Sequence, residues 1–357
     1  MSEVKKIIKL AILKNEDPFD HLKWIDACNA NKSDCEYRVI DLTMESWLEE
    51  IIDYAPNILL LKPSGKTSLY RNLYQERLEI LVFSLKYKTF PTIEEVKIYE
   101  NKKYFAYWLK ANNLPHPKTF IFYNKAEALN SADHLKLPLV GKINIGASGN
   151  GVQVLYTPSQ VKQYINRAFG EGLNSKTGPK LGDGKLIQRA LQKLTNPKEL
   201  INRIKTYRDI AKDTQKGFLL LQEFIKHEYE WRAVRIGDSY FAHKKIVSGD
   251  KASGTLIKEY GKPPAKLLDF IRLLTDKFGF TSVAIDVFEP IKGRYLINEI
   301  QCIFGQSDPY QMAIEGNPGR YRFKNKRWVF EKGNFNSNAS YDLRLKTALA
   351  LYETKNL

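Results

Sequence analysis

The chain has 357 residues, of which 43% are apolar, with 20 Tyr and 18 Phe, a composition that excludes disorder and leaves room for two or three domains. Its formal charge of +16 and pI near 9.4 favour an anionic partner without choosing among nucleic acid, a membrane surface and small phosphorylated or carboxylated substrates. No run approaches the ~18–20 uninterrupted apolar residues of a membrane span, and the apolar stretch at 7–13, broken by Lys9, is too short for a signal peptide.

Residues 1–95 alternate strand and helix signals. Apolar runs at 7–13, 37–41 and 58–61 read as strands, and helical periodicity lies at 21–31, 46–53 and 69–86. Such alternation predicts a small α/β domain with a parallel sheet. The segment Pro63-Ser64-Gly65-Lys66-Thr67 imitates the tail of a phosphate-binding P-loop. Leu60 stands where that motif needs glycine, so the segment reads as a loop at a strand end. Cys28, Cys35 and Cys302 are odd in number and lack metal-site spacing. They fit free thiols in a reducing cytoplasm, with a Cys28–Cys35 disulfide the weaker alternative.

A helix is predicted over 93–112, ending at the stop signal Asn112-Asn113-Leu114-Pro115. A strand at 118–122, a helix near 125–135 and a strand at 138–143 follow. The last carries Lys142, a charge in an apolar strand that demands a partner. The loop from Asn144 to Val152 contains Gly146, Gly149 and Gly151, and its bare backbone N–H groups could fold over phosphate oxygens. A strand follows this loop where a dinucleotide fingerprint would have a helix. Residues 170–217 break the pattern with eleven Lys/Arg against five Asp/Glu; a basic helical stretch at 185–212 within them is the candidate contact for a polyanion.

Strands return at Phe218. Glu223 ends an apolar run, Glu230 and Arg232 share a face two residues apart, and His243-Lys244-Lys245 places cations in a third apolar strand. Charges where the strand pattern expects core mark a functional site. After a helix at 265–278 come strands at 282–288 and 294–303, joined by a turn through Pro290 and Gly293. Strand period two turns Glu299 and Gln301 to one face and Cys302 to the opposite, core face. If the two strands pair, Asp286 joins Glu299 and Gln301, and three oxygen donors suit Mg²⁺. An aromatic-basic hairpin at 320–335 and a helix at 341–353 close the chain.

Taken in order, the marks are Asn101-Lys102 opening a helix, Lys142 in a strand, the glycine-rich hairpin and the strand end Glu223-Phe224-Ile225. The pair Glu230/Arg232, the basic strand His243-Lys244-Lys245, Asp286 and the pair Glu299/Gln301 follow. Over roughly residues 97–303 this order resembles the ATP-grasp superfamily, and within it the RimK-like carboxylate–amine ligases. The resemblance implies an α/β fold with three parts: an N-terminal parallel α/β domain at 1–95, and ATP-grasp subdomains at 96–221 and 222–357 that clamp the nucleotide between sheets. It implies that Lys102 and Lys142 contact the nucleotide phosphates and that Ala147, Ser148, Gly149 and Gly151 close over them. Gln222, Glu223, Phe224 and Ile225 would form the adenine hinge, and Glu230 would hold the ribose. Arg232 and one lysine of the Lys244-Lys245 pair would stand at the γ-phosphate; alternation admits only one, and gapless matching favours Lys244. Asp286, Glu299 and Gln301 would bind Mg²⁺, or Mn²⁺ in its place.

The implied activity is an ATP-dependent ligase, cytoplasmic, that activates a carboxylate as an acyl phosphate and joins it to an amine, releasing ADP and phosphate. An ATP-grasp kinase and a non-catalytic nucleotide-binding module are the alternatives. Its partners would be a small-molecule or peptide- or sugar-linked carboxylate and amine, and a homo-oligomer fits the family. Dispersed basic residues and the lack of a nucleic-acid module signature disfavour nucleic acid. The basic insertion and the 320–335 hairpin point to an acidic or sugar-linked acceptor. Two departures stand out: Gln301 replaces the family's usual asparagine, and Ala252-Ser253-Gly254 replaces its Arg-Ser-Asn, which predicts a different substrate.

Overall fold

The computed structural model describes residues 7–63, 67–146, 151–174, 208–247, 249, 257–304, 308–355 and 357. The chain divides into two compact units, one of Met1–Ser64, Leu69–His116 and Ile225–Leu357, the other of Gly65–Ser68 and Pro117–Phe224. The first unit therefore contains both the N-terminal α/β layer and the C-terminal strands.

In that first unit, β1 (Ile8–Lys14), β2 (Cys35–Asp41), β3 (Ile58–Leu61) and β4 (Lys88–Phe90) form a parallel sheet in the order β2-β1-β3-β4. The crossovers are α1 (Leu22–Ala30), α2 (Trp47–Tyr54) and α3 (Ser68–Glu79). The middle strands β1 and β3 read almost wholly apolar because helices cover both faces of the sheet. Trp24, Ala27 and Leu345 pack on one face, and Trp47, Ile51 and Tyr74 on the other. The short strand β4 is absent from the sequence reading; three residues carry too little periodicity to be seen. Cys28, Cys35 and Cys302 are free and buried.

The helix expected over 93–112 is two helices, α4 (Ile93–Ile98) and α5 (Lys102–Ala111). Glu100 breaks them with a left-handed φ of 47°, and the Asn101 side chain caps α5 by accepting from the Tyr104 amide at 3.3 Å. Apolar periodicity runs through such a break unaltered, and the Asn101-Lys102 helix start is the signal that marks it. The α4 helix opens on a capping box between Thr92 and Glu95. Buried Glu95 also accepts from the amides of Thr281 and Ser282, each at 3.0 Å.

The first unit's second sheet runs β13-β12-β9-β10-β15-β14, with β11 on β10 and β16 on β15. Its strands are β9 (Tyr229–Ile236), β10 (Ser239–Ile246), β11 (Lys258–Glu259), β12 (Ser282–Ile291), β13 (Arg294–Gln301), β14 (Ala313–Ile314), β15 (Asn317–Lys324) and β16 (Arg327–Lys332). Helix α8 (Ala265–Phe278) packs Leu267, Leu268, Ile271 and Leu274 into the core of this sheet. Helix α9 (Tyr341–Glu353) packs against α1. On the hairpin β15–β16, Arg320 and Lys324 pair with Glu331, and Arg322 with Asp238. These three cations of the expected acceptor surface are thus engaged within the fold.

The second unit is an antiparallel sheet in the order β5-β8-β6-β7, of β5 (Thr119–Phe122), β6 (Leu139–Lys142), β7 (Val152–Leu155) and β8 (Leu219–Glu223). Helices α6 (Lys125–Ala132) and α7 (Pro158–Phe169) bury Ala128, Ala132, Val161, Tyr164 and Ile165 in its core. Gly141 on β6 lies under the Tyr164 ring, where a Cβ would come within 2.5 Å of ring carbon.

Candidate active site

One end of the β13-β12-β9-β10 sheet carries charge where the other end carries apolar core. Antiparallel register sets Asp286 opposite both Arg232 and Glu299, and pairs Arg232 with His243 and Glu230 with Lys245. Residues opposite one another on neighbouring strands share a face, so acids and bases from four strands converge. Arg232 grips Asp286 in a fork, Nε to Oδ1 at 2.9 Å and Nη2 to Oδ2 at 3.0 Å. Its Nη2 also donates to Gln301 Oε1 at 3.0 Å. Lys245 Nζ bridges Asp286 Oδ2 at 2.8 Å and Glu230 Oε2 at 2.6 Å.

A β-bulge sharpens this face. The partner of Asp286 is Glu299, but that of Val287 is Ile297. Asn298 is the extra residue, and a bulge lets two neighbours point the same way. Its Nδ2 accordingly donates to Glu230 Oε1 at 3.3 Å. Strict alternation puts Asn298 on the face opposite Glu299, so period alone does not reveal it. The break at Glu100 adds a further pair, with Lys102 Nζ 3.5 Å from the buried Glu100 carboxylate.

Lys244, favoured on gapless matching, is on the opposite side of β10. It pairs with Glu259 at 2.6 Å and sits over the rings of Tyr229 and Trp231, at 4.6 and 5.7 Å from their centroids. Lys245 is the lysine on the face of Arg232 and Asp286. Alternation demanded one inward lysine, and counting from Arg232 across the hairpin register selects the odd-numbered one.

The electrostatics follow from this packing. Burial works against the Asp286 carboxylate, yet Arg232 and Lys245 hold it far below the usual carboxylate range. Glu230 is buried too and is kept low chiefly by Lys245. Glu299 behaves oppositely: burial and then the nearby Glu100 charge push it up, with Lys102 and Gln301 as partial compensation. His243 is buried with Nδ1 donating to the Gln311 carbonyl at 3.0 Å; burial and the adjoining Arg232 lower it to about 3. It stays neutral at physiological pH.

The half-buried Glu299 carboxylate, pushed up by desolvation and by the charge of nearby buried Glu100, is an observation that fits a cation. The donors offered there, two carboxylates and the Gln301 amide oxygen, are hard oxygens of the kind Mg²⁺ takes when water and phosphate oxygens complete its shell. Among the described residues no three His, Cys, Asp or Glu side chains form a metal cluster of their own.

The second unit supplies its own candidates. Lys142 closes β6, in register with Leu220 and Val152, and Gln222 on β8 donates to Thr119 Oγ1 at 3.0 Å. The Glu223 amide donates to the Lys118 carbonyl at 2.8 Å. Gln215, which the sequence reading did not single out, anchors the base of the glycine-rich loop: its Oε1 accepts from the amides of Asn144 at 2.7 Å and Ile145 at 3.0 Å, and its Nε2 donates to the Ile145 carbonyl at 2.8 Å. Gly151 closes that loop at φ 73°, where a Cβ would meet Ile143 at 2.3 Å. Phe224 follows β8 as the last residue of this unit, and Ile225 belongs to the first unit. Ala147, Ser148 and Gly149, like Ala252-Ser253-Gly254 and most of the basic insertion, lie outside the described residues.

No family model and no curated protein matches the sequence. Solved structures do match the fold. The D-alanine–D-alanine ligase of Bacillus anthracis aligns over 98% of this chain and 99% of its own at 14% identity, with a TM-score of 0.53. The N5-carboxyaminoimidazole synthase of Aspergillus clavatus, in complex with ADP, aligns over 96% of this chain and 77% of its own at 10% identity, with a TM-score of 0.54. The biotin carboxylase domain of the Hydrogenobacter thermophilus 2-oxoglutarate carboxylase, in complex with MgADP, aligns over 86% of this chain and 66% of its own at 12% identity, with a TM-score of 0.54. No helix among the described residues is long and apolar enough to cross a membrane. With the element order and the sheets described above, these matches establish that the chain has the ATP-grasp fold.

Proposed function

We propose that the protein is an ATP-dependent carboxylate–amine ligase. The observation that carries this reading is the cluster of Arg232, Lys245, Glu299 and Gln301 around buried Asp286 on one sheet face of an ATP-grasp fold, with Lys102 beside it. A carboxylate is a poor acyl donor until its oxygen attacks the γ-phosphorus of ATP, which forms an acyl phosphate and releases ADP. An amine then attacks the acyl carbon, the C–O bond to phosphate breaks, inorganic phosphate leaves, the nitrogen gives up one proton to the departing phosphate or solvent, and an amide remains.

Arg232 and Lys245 are the groups this chain offers to the charge on the transferring phosphoryl group. Fixed cations in a site withdrawn from water stabilise such charge without having to reorganise. Asp286, Glu299 and Gln301 would hold Mg²⁺, which when bound neutralises phosphate charge and orients the oxygens. The bulge that turns Asn298 inward keeps Glu230 and Lys245 in place from the side. In the second unit, Lys142, Gln222, Glu223 and the loop ending at Gly151 are proposed as nucleotide contacts on the strength of the motif order.

Phosphate release with panels of acids and amines tests the reading. Release that needs ATP, an acid and an amine together supports the ligase. Transfer to an acceptor without free phosphate would make the protein a kinase instead. Failure of ATP and Mg²⁺ to raise the melting temperature of the wild type would remove the nucleotide site altogether.

A further inference from the structure

The same cluster carries an inference about how it is loaded, which rests on the nucleotide reading above. Both Asp286 oxygens are engaged, Oδ1 by Arg232 and Oδ2 by Arg232 and Lys245. Gln301 Oε1, the amide donor of the set, is also engaged by Arg232. Lys102 stands 3.5 Å from Glu100. Glu100 thus lies against Lys102, and Asp286 and Glu230 lie against Arg232 and Lys245. A divalent cation reaches Asp286 Oδ2 only by displacing the Lys245 ammonium. Once displaced, that ammonium loses its Asp286 contact, and losing a carboxylate from a desolvated ion pair is unfavourable unless another anion takes its place.

We infer that Lys245 is a counter-ion exchange residue, which gives up Asp286 to the divalent cation and takes a phosphate oxygen of the nucleotide in return. Metal and triphosphate then bind with positive coupling through the protein, and the coupling is reciprocal. Glu230 makes the exchange feasible, because its 2.6 Å contact keeps Lys245 tethered at the site while the Asp286 contact opens. Asn298 holds Glu230 in turn. Lys245 thereby lowers the affinity for metal alone and raises the affinity for triphosphate alone.

Removing the ammonium therefore moves the two affinities in opposite directions. The experiment titrates Mn²⁺ alone, by electron paramagnetic resonance, and ATP in the presence of a chelator, by calorimetry, into wild type, Lys245→Met and Lys245→Arg. In Lys245→Met, Mn²⁺ is expected to bind at least about tenfold tighter and ATP without metal at least about tenfold weaker, for one buried charge removed. Lys245→Arg keeps the charge and should stay within about threefold of wild type in both titrations. A purely structural role would weaken both affinities, and a purely phosphate-binding role would leave Mn²⁺ unchanged; either result overturns the exchange. If Lys245→Met does not fold, Lys245→Gln carries the same prediction with a polar contact to Glu230 retained. Wild-type protein that binds no ATP under any condition would overturn the nucleotide reading beneath the proposal, which an unchanged Mn²⁺ affinity would not.

Discussion

Replacing Asp286 with asparagine should destabilise the first unit by about 3 kcal/mol at pH 7 in chelator-treated protein. Two cationic groups lie 2.8–3.0 Å from its oxygens. At an effective dielectric of ~20, unit charges ~4 Å apart attract by about 4 kcal/mol, and desolvation offsets much of that attraction. Removing one partner of a buried ion pair nevertheless costs about 3–5 kcal/mol, because the other charge stays behind. Asparagine keeps one acceptor oxygen and Lys245 keeps Glu230, which sets the expectation at the lower end. The effect has a pH signature. The Asp286 carboxyl is depressed in the folded protein, so its contribution is fully present above the unfolded value of about 3.9 and is lost as pH falls toward the folded value. All five tryptophans, Trp24, Trp47, Trp108, Trp231 and Trp328, lie in the first unit, so urea unfolding followed by tryptophan fluorescence reports on that unit. An equal penalty at pH 7 and pH 3, or Asp286→Asn as stable as wild type, would refute the reasoning.

Other positions give sharper local tests. Glu95→Ala leaves the amides of Thr92, Thr281 and Ser282 without their acceptor, and a loss of about 3–5 kcal/mol is expected at roughly 1–3 per buried donor, with some relaxation; the urea midpoint measures it, and a loss below 1 kcal/mol would count against the tie between α4 and β12. Gln215→Ala should speed hydrogen exchange at Asn144 and Ile145 by at least about tenfold, since each loses a side-chain acceptor worth on the order of 1–2 kcal/mol. Lys244→Met should leave ATP affinity within about threefold and lower stability by about 1 kcal/mol, the scale of a cation–π contact, whereas weakened ATP binding would return Lys244 to the site. His243 is lowered to about 3 by burial and Arg232. Its unfolded form binds a proton below about pH 6.5, so the wild type should lose up to ~1.4 kcal/mol per pH unit between 6.5 and 3 that His243→Gln does not lose; parallel pH profiles would contradict the burial argument.

Several features of this protein were legible in the order of its residues because they rest on period and chemistry. An acid in an apolar strand, as at Asp286, or two oxygens two residues apart, as at Glu299 and Gln301, stands out against a pattern that otherwise buries every second side chain. The parallel α/β layer could be read from alternating elements, and the bounds of β3 and α8 agree with those expected. The choice of Lys245 over Lys244 was beyond such reading. It depends on which face of β10 meets β9, and that register is set by pairing across the sheet. Asn298 and Glu100 escaped for the same kind of reason: a bulge and a left-handed residue invert the local direction of a side chain without changing periodicity. Gln215 lies some seventy residues from the loop it holds, and nothing local marks it. Sequence thus determined which charges must find one another, because burying a lone charge is prohibitive. Only tertiary structure decided which partner each one found, because partner choice is a matter of register, bulge and face.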